Sequence, residues 1–208
     1  MLNGLHILTL KVDIMLLSKL SEQELIRAYI MGNEHAIEQL ILRHKNRVYT
    51  YIFYKVKDEE LAEDIFQDTF IKVINTIKKG KYNDEGKFLP WVLRIAHNLV
   101  IDFFRKNARM PMAKGTEDFD IFDVISCPNK NIEQTIQSSQ VYKHLKGLIK
   151  HLPYDQKEVI MMRMYFDMSF KEIADMTNVS INTSLGRMRY GLINLRKLIE
   201  EKNISLAI

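Results

Sequence analysis

Apolar residues return every three or four positions through most of this chain, and cap and turn residues fill the polar runs between them. That period predicts helices, and no stretch alternates convincingly as a strand. Ser21-Glu22-Gln23-Glu24 has the S-x-x-E spacing of a capping box. Leu25, Ile26, Tyr29 and Ile30 follow at helical spacing, so a helix begins near 22, and Gly32-Asn33 interrupts it. A second helix is expected from about Glu34 to Val56. Its apolar side holds Ile37, Leu40, Ile41, Val48, Tyr51 and Ile52, and its other side Arg43, Lys45, Arg47, Lys55 and Lys57. Asp58-Glu59-Glu60 opens a third helix, with acids at the end where the helix dipole favours them. Phe66, Phe70, Val73 and Ile77 should face inward there, with Asp64 and Asp68 opposite. Gly80 and Gly86 bracket a loop, and Pro90 suits the first turn of a fourth helix. Trp91, Ile95, Leu99 and Phe103 form the expected buried stripe of that helix.

From Pro111 to about Asn131 the period dissolves into PMAKGTEDFDIFDVISCPNKN, whose two prolines, glycine and acids Glu117, Asp118, Asp120 and Asp123 predict a linker. Helices resume at about Ile132–His151, break at Leu152-Pro153, and continue at about Asp155–Tyr165. The pattern therefore predicts an all-α protein of two small helical domains joined by a flexible linker. Residues 18–109 make the first domain, 110–132 the linker and 133–208 the second domain, with 1–17 as an N-terminal extension.

Ser169-Phe170-Lys171-Glu172 is a second capping box, opening a short helix over Phe170–Met176. Ala174 supplies a small side chain where two helices must approach closely. Thr177-Asn178-Val179 is the turn, with asparagine where a left-handed residue is usual. Ser180 then caps a last helix from Ile181 to about Glu200. Helix, tight turn and helix in this order make a helix-turn-helix, whose second helix enters the major groove of DNA by its N-terminal half. Between Ile181 and Lys197 stand Arg187, Arg189, Arg196 and Lys197, with no acid. Leu185, Met188, Leu192 and Leu195 form the expected apolar stripe, leaving Asn182, Thr183, Gly186, Arg187 and Tyr190 toward the other side. Arginine can pair bidentately with guanine or grip phosphate, and asparagine can pair with adenine. The competing reading is a helical hairpin with a solvated basic face. The capping box, Ala174 and Asn178 in register favour the DNA-reading helix.

Composition adds bounds. Of 208 residues, 47% are hydrophobic and 27% charged, enough apolar material for packed cores, and the net charge is +4. That mild excess permits a nucleic-acid partner without requiring one. The one cysteine, Cys127, excludes an intrachain disulfide and a cysteine-built metal site. No apolar run approaches the roughly 18 residues needed to span a bilayer, so membrane insertion is not expected. The apolar start MLNGLHILTLKVDIMLLSKL lacks the basic n-region and cleavage site of a signal peptide. Residues 1–14 either pack on the first domain as an extra segment or reflect a misassigned start, with Met15 the true one. The second reading is preferred, because ordered-looking sequence begins at Ser21.

The fourth helix carries a further candidate site. Its exposed strip holds Arg94, His97, Asn98, Arg105 and Lys106, with Arg109 just beyond and Tyr82, Phe88, Trp91, Phe103 and Phe104 nearby. Cations grip a backbone while aromatics stack on unpaired bases, as single-stranded nucleic acid requires, and an amide such as Asn98 can read one flipped base. Composition alone also fits an ordinary amphipathic helix, since aromatic stripes are usually core.

The order of these pieces resembles that of an extracytoplasmic-function (ECF) sigma factor of the sigma-70 family, and the wording SINTSLGRMRYGLINLRK is similar to Bacteroidetes-type members. The matching stretches are AEDIFQDTFIKV (62–73), FLPWVLRIAHNLVIDFFRK (88–106) and the run from Leu152 to Ile199. The resemblance implies that Asp64, Gln67 and Asp68 contact core RNA polymerase. It implies that loop 80–89 and the helix after it melt and read the promoter −10 region. There Tyr82 and Asn98 would line a pocket for a flipped base, Arg94, Arg105 and Arg109 would hold backbone, and His97 would also bind the −10 DNA. It implies a −35 reader in the last helix, through Ser180, Asn182, Thr183, Gly186, Arg187, Arg189 and Tyr190. Expected partners are core RNA polymerase, promoter DNA and an anti-sigma factor, in the cytoplasm. The chain departs from the family pattern at Ser184, Leu185 and Gly186, where valine, lysine and serine are common, and at Asn178, which replaces a turn glycine. Gly186 lies inside a helix at a cost of about 1 kcal/mol relative to alanine.

Two other readings compete. A stand-alone helix-turn-helix regulator leaves the first domain without a role. An enzyme would need a signature, and none is present: no P-loop, G-x-G-x-x-G, H-E-x-x-H or nucleophile elbow. His6, His35, His44, His97, His144 and His151 show no ligand spacing. Glu60, Asp64 and Asp68 suit a partner surface better than a cation site. No catalytic residue, cofactor or metal is expected.

Overall fold

A computed structural model describes residues 16–83, 86–106 and 147–202. The chain divides into two compact units, Met1–Met112 and Ala113–Ile208. Every regular element among the described residues is a helix, as the hydrophobic period predicts. The expected linker, Arg109 and Cys127 lie outside the described residues, as does most of the helix expected over 132–151, of which 147–150 are helical.

The first unit contains α1 (Glu22–Ile30), α2 (Glu34–Val56), α3 (Glu59–Lys78) and α4 (Phe88–Lys106). Each start has a local cause. Ser21 and Glu24 close the capping box in both directions, the Asn33 side chain accepts from His35 N–H, and Asp58 accepts from Leu61 N–H. These bonds satisfy donors that a helix start otherwise leaves open. Gly32 takes φ 100°, a left-handed turn between α1 and α2 that L side chains rarely adopt.

Helix α2 packs against α1, α3 and α4, and α3 packs against α4. Its Leu40, Val48, Tyr51 and Ile52 are buried with Leu25 of α1, Val73 and Ile77 of α3, and Val92, Leu93 and Ala96 of α4. Each large side chain buried this fully contributes about 1.5–3 kcal/mol. Nε2 of the buried His44 lies 2.9 Å from Glu22 Oε1, off the line of a hydrogen bond. This contact, with Arg43 and Arg47 beyond, holds the Glu22 carboxyl below its usual range. Arg43 also donates to the Ser18 carbonyl at 2.8 Å, which ties residues 16–20 to α2 with Leu17 buried beneath.

Two expected stripes differ from those observed. In α3, Phe66 is half-buried and Ile65 is buried in its place, beside Ala62 and Thr69. In α4, Trp91, Ile95, Leu99 and Phe103 are all half-buried, and the core stripe is Leu89, Val92, Leu93, Ala96 and Val100. Both sets repeat at helical spacing. The direction in which α2 and α3 approach selects between them.

The second unit contains α5 (Tyr154–Met164), α6 (Phe170–Thr177) and α7 (Ile181–Glu201), each packed on the other two. Pro153 precedes α5 and ends the preceding helical stretch. Asp167 at φ 56° turns the chain between α5 and α6, and Arg163 holds this corner by donating to the Met168 carbonyl at 2.8 Å. The Ser169–Glu172 capping box opens α6, and Asn178 at φ 53°, ψ 44° closes it in the left-handed conformation. Its N–H reaches the Ala174 carbonyl, and Ala174 is 3% exposed, so the small side chain stands where the helices meet.

Helix α7 lies close on α5 because Gly191 has no side chain. A Cβ there would stand 2.9 Å from Ile160 Cδ1 and 3.3 Å from Gln156 Cβ, whereas a Cβ on Gly186 would meet nothing within 4 Å. The two glycines therefore predict opposite responses in thermal or urea unfolding of the full chain. Gly186→Ala is expected to stabilise by about 1 kcal/mol through helix propensity. Gly191→Leu is expected to destabilise by about 1–3 kcal/mol by overpacking.

Candidate nucleic-acid interface

In the first unit, α4 offers its outer side. A helix turns about 100° per residue, so Trp91, Arg94, Asn98 and Arg105 share a face, away from the buried Val92, Leu93 and Ala96. Arg94, Asn98 and Arg105 are exposed there. Tyr82 folds back from the preceding loop onto the head of this face, its ring 4.4 Å from that of Trp91 and 6.1 Å from that of Phe88. Phe88 is buried and anchors the group through His44, 5.5 Å away. Gly80 at φ 63° and Gly86 at φ 70° bend the loop that brings Tyr82 there. The result is an aromatic platform at the helix start, with an amide two turns along and cations flanking it. Seven residues separate Trp91 from Asn98, about 10 Å along a helix axis. That length accommodates a base stacked at one end and a backbone running toward the other.

His97 sits differently. It is half-buried on the flank, and its Nδ1 lies 2.9 Å from the hydroxyl of the buried Tyr51. That bond directs the ring toward α2 and fixes the middle of α4 against it. Arg105 lies 3.9 Å from Asp102 in an exposed pair that water screens.

Asp64, Gln67 and Asp68 are exposed together on α3. Ile71 shares their face and is 55% exposed, an apolar spot at the end of an acidic strip. Sequence reading passed over Ile71 because it adjoins the buried Phe70. Its spacing of three from Asp68 and four from Gln67 is the signal that places it outward. Among the described residues no group of three or more His, Cys, Asp or Glu side chains could hold a metal ion, and no helix is long and apolar enough to cross a membrane.

In the second unit the Ser180 side chain accepts from Thr183 N–H at 3.0 Å and caps α7. The buried stripe of α7 is Ser184, Gly191 and Leu195, with Met188 and Leu198 half-buried beside it. Leu185 and Leu192, expected inside, are 44% and 41% exposed. The reason is again rotational. Contact through Gly191 turns that side of the helix to α5 and carries Leu185 outward. Asn182, Thr183, Arg189 and Tyr190 are exposed and Gly186 is half-exposed, so these positions face solvent in the first three turns. Arg187 points elsewhere. Its Nη2 lies 2.7 Å from Asp155 Oδ2 at the start of α5, and Asn194, two turns further along α7, donates to Gln156. Pro153, Tyr154, Asp155, Gln156, Thr183 and Tyr190 line an open depression of about 560 Å³ around this pair.

Comparison with known proteins decides the family. The model for Sigma-70 region 2 matches residues 40–110, and that for Sigma-70 region 4 matches residues 144–184, together more than half of the chain. The chain belongs to the sigma-70 family. Its relatives include the RNA polymerase sigma factor CarQ of Myxococcus xanthus, 27% identical over 176 residues that cover 85% of this chain and 96% of the relative. The ECF sigma factor SigW of Bacillus subtilis is 27% identical over 82% of this chain and 92% of its own length. YlaC of the same species is 26% identical over 84% of this chain and 100% of its own. Among solved structures, the sigma factor RpoE of Bartonella quintana, crystallised with the anti-sigma factor NepR, matches 79% of this chain and 96% of its own at 16% identity and a TM-score of 0.48. This chain is an RNA polymerase sigma factor of the ECF type, a transcription initiation factor whose second unit carries the helix-turn-helix.

Within region 4, Ser184 stands where valine is common in the family. It is fully buried, and its Oγ has no hydrogen-bond partner among the described residues. A buried hydroxyl without a partner costs about 1–3 kcal/mol. Ser184→Ala removes that hydroxyl without adding bulk and favours the helix. The variant is expected to raise the unfolding midpoint of the full chain by an amount corresponding to about 1 kcal/mol, measured by thermal denaturation.

Proposed function

We infer that this sigma factor directs core RNA polymerase to promoters by reading two elements with two units, and that it does no bond chemistry itself. What supports this reading is that one chain bears two surfaces of the kinds that suit double-stranded and single-stranded nucleic acid. One is a capped helix behind a left-handed turn, and the other a half-buried aromatic platform beside the exposed amide and arginines of α4. A stand-alone helix-turn-helix regulator explains only the first.

In this reading residues 18–109 form region 2, 110–132 the linker and 133–208 region 4, with 1–17 as an extension. Asp64, Gln67 and Asp68 dock on core polymerase, and the exposed Ile71 adds an apolar contact to that acidic strip. Tyr82 and Asn98 receive one flipped base of the −10 element, while Arg94, Arg105 and Arg109 hold the single-stranded backbone and His97 braces α4 from behind. Ser180, Asn182, Thr183, Gly186, Arg189 and Tyr190 meet the −35 element. Arg187 keeps α7 in place through Asp155 and reaches DNA from the edge of the depression. Double-stranded anchoring at −35 thus precedes capture of a base that has already left its stack. The protein acts in the cytoplasm without inserting in a membrane. On the resemblance, an anti-sigma factor restrains it, and the wording of 180–197 suits a Bacteroidetes-type bacterium.

The test is run-off transcription with the purified chain and core RNA polymerase on fragmented genomic DNA, followed by sequencing of the 5′ ends. Discrete starts sharing two spaced upstream elements are expected. No new starts, with DNA binding by the second unit intact, would move the assignment to a stand-alone regulator. On a promoter found this way, Asn98→Ala is expected to abolish discrimination at one −10 base. Unchanged preference would remove the pocket assignment.

A further inference from the structure

Arginine and lysine are the usual base and phosphate contacts of a DNA-reading helix. In the first half of α7 the cations are Arg187 and Arg189. Arg187 is turned to the side, its guanidinium 2.7 Å from Asp155 and its side chain 24% exposed. Arg189 is exposed on the outward face. Asn182, Leu185 and Gly186 share that side, since each lies three, four or seven residues from Arg189 or from another of the group. Ser184, Gly191 and Leu195 are buried opposite. Leu185 is 44% exposed and Ile181, one turn before it, 47%. Beside them Gly186 has no side chain, and nothing lies within 4 Å of where its Cβ would be. The helix therefore offers an approaching duplex a bare backbone strip flanked by an apolar edge.

One exposed leucine has no meaning by itself. Its position gives it one. It stands in the second turn of the helix whose N-terminal half enters the groove, on the same side as the amide of Asn182. The base-edge group that an apolar side chain recognises in the major groove is the 5-methyl of thymine. Asn182 is suited to adenine, and the two side chains lie one turn apart. Gly186 lets the helix backbone approach, so that Leu185 reaches the floor of the groove.

We propose that Leu185 is a specificity residue that reads thymine methyl groups in the −35 element, next to an adenine read by Asn182. The −35 element is then expected to contain an A·T step at that register. This inference rests on the promoter-reading function proposed above.

The test begins with a promoter mapped by the run-off experiment. Each thymine of its upstream element is replaced singly by deoxyuridine, which lacks only the methyl, and open-complex formation by the full chain with core polymerase is titrated. Uracil at one or two positions is expected to weaken binding about fourfold, the equivalent of about 0.8 kcal/mol for one buried methyl group. Leu185→Ala should show that loss on the thymine promoter and be indifferent to uracil at the same positions. Its exposure means the variant folds, which a thermal melt verifies. Wild-type indifference to uracil at every position, or Leu185→Ala retaining the uracil effect, would overturn the inference and leave the promoter reading standing. Absence of discrete starts would overturn both.

Discussion

Burial of one helical stripe decides what the opposite stripe can touch, and both units depend on this coupling. In the second unit the decisive contact is the approach of α7 to α5 at Gly191, where even a methyl group would press on Ile160 and Gln156. That contact rotates α7 about its axis. Ser184 and Leu195 go inside, Arg187 is placed beside Asp155, and Asn182, Leu185, Gly186 and Arg189 go to solvent. No side chain on the outer face needs its own instruction. The orientation follows from the packing of the inner one.

The first unit repeats this logic with a different anchor. Helix α2 is the shared partner of α1, α3 and α4. Its buried Tyr51 holds His97, and its buried His44 meets Phe88, which supports Tyr82 and Trp91. The aromatic platform is thus tied to the core from below, while Arg94, Asn98 and Arg105 remain on the exposed side of α4. The base capture proposed for this surface would gain from such rigidity, because ordering cost is met by folding and not by binding.

Much of this was legible in the chain. Capping boxes at Ser21 and Ser169, the cap at Ser180 and the left-handed Asn178 appear where local spacing predicts them, because each depends on residues within one helical turn. The exposed Asp64 and Asp68 were readable for the same reason, while Gln67 came from the family resemblance. The facing of α4 and α7 was less so. Trp91, Ile95, Leu99 and Phe103 make as regular a stripe as the one that is buried, and Leu185 and Leu192 match the period of a core they do not join.

The sequence by itself determined the helices, their ends, the turn of the helix-turn-helix and the candidate residue types, because cap bonds, backbone φ and hydrophobic period act over a few residues. Only the tertiary structure decided which of two adjacent stripes is buried. It also decided that Gly191 is a packing site while Gly186 is open, and that Arg187 is paired with Asp155. Those outcomes depend on contact between helices distant in sequence, and the steric fit there, finer than one rotamer step or one methyl group, carries no local signal.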